Sequence, residues 1–259
     1  MTTQAEAIGL EVSGHVATVT ISRPPVNAMD RAARRLMIDT FDALADRDEV
    51  RCVVLTGSGR TFCAGADVKE RAAIKDGPGE HLRLNRLVYE WFQAVREFPK
   101  PVIGAINGPA IGAGMCMALC CDILVAAEGA VFAMPEIDRG SAGGVKFLDR
   151  HFPPGKWRRL LLTGKRVTAT ELHRLGVIEE CVPADQLAAC ARGLADEIAA
   201  KSPVAVRMLK ESFNMVENLS FRDGYQLEQQ TSIRMSRTED AQEAKLAFLE
   251  KRPPVFKGR

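Results

Sequence analysis

The sequence predicts an α/β protein in which the last quarter of the chain is helical. Strand and helix patterns alternate through the first 140 residues, as they do in α/β folds. From Pro154 onward the strand signals nearly vanish, and residues 177–182 form the only predicted strand. A chain of 259 residues can bury a sizeable core without disulfide or metal support. We therefore expect a core domain over residues 1–200 and a helical assembly region over residues 201–259.

Hydrophobic periodicity places each element in order. Apolar runs and alternation predict strands, and apolar residues spaced three and four apart predict helices. The predicted strands of the first half are residues 10–12, 16–21, 51–56, 100–106 and 121–126. The predicted helices are residues 30–45, 84–95, 112–119, 156–163, 170–175, 184–200, 204–217, 221–236 and 238–251.

Turn and capping signals support these boundaries. Residues 13–15 separate the first two strands and predict a hairpin turn. Asp30 is a candidate N-cap for the first helix, and Thr168 with Glu171 resembles a capping box. The apolar stripe over residues 84–95 indicates a helix packed on the core.

Composition and charge exclude several classes of protein. The hydrophobic fraction of 46% and the charged fraction of 26% are ordinary for a globular protein and exclude a disordered, collagen-like or coiled-coil chain. The net charge of +2 gives no basic excess of the kind that nucleic-acid modules carry. No apolar run reaches about 18 residues, and residues 1–7 lack the features of a targeting signal. These observations predict a cytoplasmic protein that binds neither nucleic acid nor membrane.

The cysteines predict free thiols and no metal site. Their number is odd, and no C-x-x-C spacing occurs, which argues against both a zinc site and a secreted disulfide framework. Buried thiols in a reducing compartment fit this pattern better. The seven are Cys52, Cys63, Cys116, Cys120, Cys121, Cys181 and Cys190.

Common catalytic motifs are missing from the sequence. It contains no phosphate-binding G-x-x-x-x-G-K-[ST] loop and no G-x-G-x-x-G dinucleotide fingerprint. It contains no G-x-S-x-G nucleophile elbow and no H-E-x-x-H zinc motif. The four histidines form no recognisable constellation, so a histidine-based triad is a poor hypothesis.

Two loops of small residues remain as candidates for a site. Residues 62–67 and residues 106–115 each follow a predicted strand and lead into a helix. Small residues let backbone N–H groups approach a ligand closely, and two such donors aimed at one carbonyl oxygen form an oxyanion hole. Tight packing turns are the alternative interpretation of either loop alone. Downstream, Glu136 follows an apolar run and a proline, where a carboxylate can serve as an acid or base or lie on the surface after a turn.

Five segments taken in order resemble the crotonase family, the enoyl-CoA hydratase/isomerase proteins. The segments are Cys63-Ala-Gly-Ala-Asp67, Ile106-Asn-Gly-Pro-Ala-Ile-Gly-Ala-Gly114, Cys121-Asp-Ile123, Phe132-Ala-Met-Pro-Glu136 and the stretch 247–258. The resemblance covers essentially the whole chain from about Ile8. It implies a spiral of ββα units with a helical C-terminal region that builds a homotrimer, often paired into a hexamer. It implies an acyl-CoA thioester as the substrate.

The resemblance also assigns roles to residues of the site. The backbone N–H groups of Ala66 and Ala113 would bind the thioester oxygen and stabilise an enolate, with Glu136 as the acid/base. Coenzyme A would enter as part of the substrate, with no permanently bound cofactor. The residues implied to line the coenzyme A site are Arg23, Val26, Ala64, Ala66, Asp67 and Val68. Candidates for the acyl pocket are Trp91, Met115 and Phe132.

One departure from the family pattern leaves the reaction open. Family hydratases use two glutamates, and Cys116 stands where the first would fall. One mobile carboxylate is enough to move a double bond. Hydration needs a base for water and an acid for the α-carbon, which two carboxylates supply easily and one supplies with more difficulty. Cys116, if its thiol were ionised, or Asp138 are candidates for the second group; a neutral buried thiol and a carboxylate that points elsewhere are the alternatives. The open hypotheses are an enoyl-CoA hydratase/isomerase, another thioester reaction of this family (hydrolysis, decarboxylation or ring chemistry), and a silent CoA-ester binder.

Overall fold

A computed structural model describes residues 7–72 and 77–259. The strands are β1 (Ile8–Ser13), β2 (Val16–Ile21), β3 (Cys52–Gly57), β4 (Val102–Ile106), β5 (Ala110–Ile111), β6 (Ile123–Ala127), β7 (Val131–Ala133), β8 (Val167–Thr168) and β9 (Glu180–Val182). The helices are α1 (Arg31–Ala45), α2 (Val68–Ala72), α3 (Pro78–Arg96), α4 (Ala113–Ala118), α5 (Val145–His151), α6 (Pro154–Thr163), α7 (Ala169–Arg174), α8 (Leu187–Ala199), α9 (Pro203–Val216), α10 (Phe221–Ser236) and α11 (Glu239–Glu250), together with a 3-10 helix over Pro135–Arg139.

The main sheet has the strand order β1-β2-β3-β4-β6-β9. The hairpin β1–β2 is antiparallel, and every later pairing in this sheet is parallel. Helices lie in the crossovers between the parallel strands, as the right-handed connection of such strands requires. A smaller sheet of order β5-β7-β8 lies beside it. This α/β architecture with C-terminal helices agrees with the spiral of ββα units that the family resemblance implies.

Burial on both faces explains the continuous apolar run of β3. Val53 and Leu55 face the large core that α1 and α3 cover, whereas Cys52 and Val54 face a second core that α8 covers. Side chains of a strand alternate between faces, so a parallel strand covered on both sides needs apolar residues at every position. The α8 face of the sheet is completed by small residues, including Ala191 and Ala195.

Ion pairs attach the C-terminal helices to the core. The buried ammonium group of Lys210 on α9 donates to the Asp122 carboxylate at 2.7 Å and to the Lys100 carbonyl at 3.0 Å. Directly after α9, Glu217 accepts from Arg96 at 2.6 Å and pairs with Arg150 at 2.5 Å. The exposed large apolar side chains of α9 to α11 are Leu209, Phe213, Met215, Phe221, Tyr225, Ile233, Leu246, Phe248 and Leu249.

Several local predictions are confirmed. The hairpin forms as expected, and the Asp30 carboxylate caps α1 by accepting from the Ala33 N–H at 2.8 Å. Thr168 caps α7 by accepting from the Glu171 N–H. The Glu171 carboxylate bonds to Lys156 instead of returning to the cap, so the second half of the capping box is wrong.

Other predictions need correction. The strand expected over residues 177–182 is confined to Glu180–Val182. Gly176 turns the chain with a φ of +74°. The N–H groups of Val177 and Ile178 then donate to the Leu172 carbonyl of α7, so these two residues do not join the sheet. The strand β9 is also not the only strand beyond Pro154, because β8 pairs with β7. The sequence analysis did not predict the short elements β5, β7, β8, α2 and α5.

The cysteines are free thiols, and five of the seven are buried. Over residues 7–72 and 77–259, no group of three or more histidine, cysteine, aspartate or glutamate residues could hold a metal ion. Within the same residues, no helix has the length and apolar character needed to cross a membrane.

Candidate active site

The two loops of small residues lie side by side. The Ile111 N–H donates to the Cys63 carbonyl at 2.9 Å, and the Cys63 N–H donates to the Pro109 carbonyl at 3.2 Å. A Cβ on Gly114 would lie 2.0 Å from the Cys63 oxygen, and one on Gly65 would lie 2.6 Å from the Ile111 oxygen. Only glycine permits this approach of two backbones, which accounts for the small residues of both segments.

The orientation of the Ala66 peptide follows from its pairing with Met29. The Met29 N–H donates to the Gly65 carbonyl at 2.8 Å, and the Asp67 N–H donates to the Met29 carbonyl at 3.0 Å. In such a parallel bridge, the residue between the two bonds turns its own N–H to the other side. No backbone oxygen of the described residues accepts a hydrogen bond from the Ala66 N–H.

The Ala113 nitrogen lies close to the same loop. Ala113 is the first residue of α4, where backbone donors have no partner within the helix. A Cβ on Gly65 would lie 3.1 Å from the Ala113 nitrogen, so the peptides of the two loops are neighbours. Ala66 and Ala113 are both half-buried. The structure therefore places the Ala113 nitrogen close to the segment that leads into Ala66.

The Glu136 carboxylate lies next to the start of α4. Glu136 is in the 3-10 helix that follows β7, and it is half-buried with its Oε2 atom inaccessible to solvent. A Cβ on Gly112 would lie only 2.4 Å from Oε1, so the carboxylate packs against the Gly112 backbone that leads into Ala113. The structure therefore brings Glu136 and Ala113 together.

Cys116 lies one helical turn beyond Gly112. Its N–H donates to the Gly112 carbonyl at 3.0 Å, and its side chain is 3% exposed. Burial raises the pKa of the Cys116 thiol, and the negative charge of Glu136 raises it further. A raised pKa favours the protonated thiol near pH 7.

Asp138 lies on the other side of the 3-10 helix. Its side chain is exposed, and a Cβ on Gly164 would lie 2.7 Å from Oδ2. The Asp138 carboxylate thus borders the end of α6, whereas the Glu136 carboxylate borders the start of α4. The structure does not bring these two carboxylates together.

The residues expected along coenzyme A form one edge of the site. The Ala64 N–H donates to the Val26 carbonyl at 3.0 Å, and the Arg23 guanidinium donates to the Asp67 carboxylate at 2.9 Å. This hydrogen bond is the main cause that lowers the pKa of Asp67. Val26 and Val68 are exposed. Arg23 also donates to Ala28 and Asp30, so its guanidinium ties the two loops together.

Sequence reasoning missed one residue that shapes this edge. Asn27 is buried with a φ of +55°, and its amide donates to the Ser58 carbonyl at 3.0 Å and to the Thr61 carbonyl at 2.7 Å. Asparagine tolerates the left-handed conformation, so an asparagine shortly after two prolines was an available signal. The acyl-pocket candidates Trp91, Met115 and Phe132 are fully buried in the large core.

Comparison with known proteins places this site in a family. A family model described as enoyl-CoA hydratase/isomerase matches residues 11–259. Carnitinyl-CoA dehydratase from Proteus mirabilis is 36% identical over 263 residues, which cover 98% of this chain and 100% of that protein. Carnitinyl-CoA dehydratase from Salmonella typhimurium is 34% identical over 268 residues, which cover 98% of this chain and 100% of that protein.

Solved structures agree with the sequence relatives. An enoyl-CoA hydratase from Bacillus anthracis superposes with a TM-score of 0.92 at 32% identity, covering 98% of this chain and 100% of that chain. An enoyl-CoA hydratase from Mycobacterium smegmatis superposes with a TM-score of 0.92 at 30% identity, covering 96% of this chain and 98% of that chain. The chain belongs to the enoyl-CoA hydratase/isomerase family. It is an enzyme that processes acyl-CoA thioesters, of the lyase or isomerase class, and the crotonase resemblance is confirmed.

Proposed function

We propose that the enzyme polarises the thioester carbonyl of an enoyl-CoA through the N–H groups of Ala66 and Ala113, while Glu136 moves a proton at the α-carbon. The observation that carries this proposal is the position of the Glu136 carboxylate against Gly112, beside the Ala113 N–H. Hydrogen bonds to the thioester oxygen stabilise the enolate that forms when the α-proton leaves. A carboxylate within reach of the same carbon supplies the base and then the acid.

Double-bond migration is the reaction that this arrangement favours. Glu136 would remove a proton at the α-carbon of a 3-enoyl thioester and return it at the γ-carbon, which gives the conjugated 2-enoyl thioester. The proton and the electron pair balance without a second base. The neutral thiol of Cys116 supports this choice, because it offers no second base to activate water.

Hydration and dehydration form the second candidate, which the relatives favour. Two of them are named carnitinyl-CoA dehydratase, and they match this chain over their whole length. In a dehydration, Glu136 would take the α-proton and also protonate the departing hydroxyl group. A single carboxylate would then serve both steps.

We also propose how the substrate is held. The loops that carry Arg23, Val26, Ala64, Asp67 and Val68 would line coenzyme A, which enters with the substrate and is not a resident cofactor. The many exposed large apolar side chains of α9 to α11 support a homo-oligomer, a trimer or a dimer of trimers, because apolar side chains left exposed in one region mark contact surfaces. We expect the protein to work in the cytoplasm.

The test is the ultraviolet absorbance of the conjugated enoyl thioester. Crotonyl-CoA is placed in one cell and 3-hexenoyl-CoA in the other, with wild type, Glu136→Gln and Asp138→Asn run side by side. Gain of absorbance from 3-hexenoyl-CoA alone indicates an isomerase, and loss of absorbance from crotonyl-CoA indicates hydration. The proposal predicts that Glu136→Gln abolishes turnover and that Asp138→Asn, the same chemical change two residues away, retains it. No change in either cell with wild type would contradict the proposal.

A further inference from the structure

A buried arginine lies directly behind the first donor loop. Arg34 on α1 is 1% exposed, and its Nη2 donates to the Met29 carbonyl at 2.7 Å. The guanidinium carbon lies 5.7 Å from the centre of the Trp91 ring. The aromatic face and the protein interior therefore hold the cation in one place.

The Met29 carbonyl connects this arginine to the oxyanion donor. The same oxygen accepts from the Asp67 N–H at 3.0 Å, and the Met29 N–H donates to the Gly65 carbonyl at 2.8 Å. Those two bonds fix the peptides on both sides of Ala66. The Met29 carbonyl holds the Ala66–Asp67 peptide, and the Met29 N–H holds the Gly65–Ala66 peptide, which carries the Ala66 N–H. A displacement of the Met29 carbonyl would therefore move the Ala66–Asp67 peptide and, through the Ala66 Cα that both peptides share, turn the Ala66 N–H.

Stability alone does not account for Arg34. Its Nη1 lies 3.4 Å from the Glu70 carboxylate, which also accepts from the Arg31 N–H at 2.8 Å. Its Nε has no acceptor within the described residues. A buried cation with few partners costs free energy, and an apolar side chain of similar volume is often as stable or more stable. The short bond to the Met29 carbonyl is the best-formed contact that this guanidinium makes.

We propose that Arg34 is a positioning residue that holds the Ala66 N–H in line with the thioester oxygen by fixing the Met29 carbonyl. The inference rests on the proposed role of Ala66 as an oxyanion donor. It makes α1 part of the catalytic apparatus, although Arg34 itself does not touch the substrate.

The test reads the polarisation of the thioester carbonyl directly. Hydrogen bonds to a carbonyl lower its stretching frequency, so butyryl-CoA labelled with ¹³C at the carbonyl reports the donors in an infrared difference spectrum. The variants are Arg34→Met and Arg34→Lys, with Arg35→Met as the control. Arg35 is the next residue of α1, is exposed, and pairs with Glu90 at 3.5 Å on the surface. Only folded protein binds the ligand, so the bound spectrum stays informative for a destabilised variant.

We expect Arg34→Met to lose part of the frequency shift and to lower kcat by about 10- to 100-fold, while KM stays nearly unchanged. A donor displaced by about 1 Å costs about 100-fold and a lost donor about 100- to 1,000-fold, and in this variant the Ala66 N–H is retained and only its position is disturbed. Arg34→Lys keeps a cation that can donate to the Met29 carbonyl, so its frequency shift and kcat should be closer to those of wild type than to those of Arg34→Met. Arg35→Met should match wild type.

A wild-type frequency shift in Arg34→Met would overturn the proposal. If that variant yields no folded protein, Arg34→Leu takes its place, and a wild-type shift together with a wild-type kcat in Arg34→Leu would overturn the proposal. A wild-type enzyme that produces no shift at all would contradict the oxyanion site of the proposed function. The two failures are therefore distinguishable.

Discussion

Replacing Gly112 by alanine should separate catalysis from stability. Gly112 has a φ of +56° and a ψ of −122°, a backbone conformation that is essentially confined to glycine. A Cβ at this position would lie 2.4 Å from the Oε1 atom of Glu136. Non-bonded atoms rest about 3.5 Å apart, so the carboxylate oxygen must move by about 1 Å.

The two consequences have different magnitudes and different readouts. The backbone strain should lower the free energy of unfolding by about 1–3 kcal/mol. A displacement of about 1 Å at a reacting group costs about 100-fold in rate, so kcat should fall by about that factor. KM should change little, because the coenzyme A edge of the site lies on other loops.

Gly176→Ala is the matched control. Gly176 has a φ of +74°, and a Cβ there would meet no atom within 4 Å. It should therefore carry the backbone strain without displacing Glu136. Urea unfolding measures the strain in both variants, and the enoyl absorbance assay measures kcat. If Gly112→Ala retains the kcat of Gly176→Ala, the reasoning that places the Glu136 carboxylate against Gly112 is refuted.

Two further predictions concern stability. Burial raises the pKa of Cys52 and of Cys63 to about 12. Above about pH 8.5, the unfolded chain therefore releases thiol protons that the folded chain retains. The free energy of unfolding should then fall by about 1.4 kcal/mol per pH unit for each such thiol. Urea unfolding in reducing buffer at pH 7.5 and pH 9.5 measures this, and equal stability at the two values would contradict it. Lys210→Met leaves the Asp122 carboxylate without its cation. Breaking a buried ion pair lowers the free energy of unfolding by about 3–5 kcal/mol, and because the Asp122 carboxylate is 23% exposed we expect a value near the lower end of that range. The same urea experiment checks it, and an unchanged midpoint would show that Lys210 does not attach α9 to the core.

The sequence predicts the longer elements well because each of them must bury one face. The helix α1 and the long C-terminal helices have regular apolar spacing, and Asp30 and Thr168 cap helices through local hydrogen bonds. The strands β5, β7 and β8 have only two or three residues each, which is too short for a pattern to emerge. Their pairing depends on partners distant in the chain.

In the site too, features that depend on local sequence could be predicted, and features that depend on distant packing could not. Small residues identify the two loops because close backbone approach excludes a Cβ at Gly65 and Gly114. The directions of the Glu136 and Asp138 carboxylates depend on the 3-10 helix, which the sequence analysis did not predict. The contact of Arg34 with the Met29 carbonyl depends on the packing of α1, and no motif marks it.

The central claim is that Glu136 exchanges a proton at the α-carbon while Cys116 takes no part in the proton transfer. The most direct measurement is exchange of the α-protons of butyryl-CoA with D₂O, followed by proton NMR. The account predicts exchange in wild type and in Cys116→Ala, and none in Glu136→Gln. Exchange that persists in Glu136→Gln, or that disappears in a folded Cys116→Ala, would contradict the account.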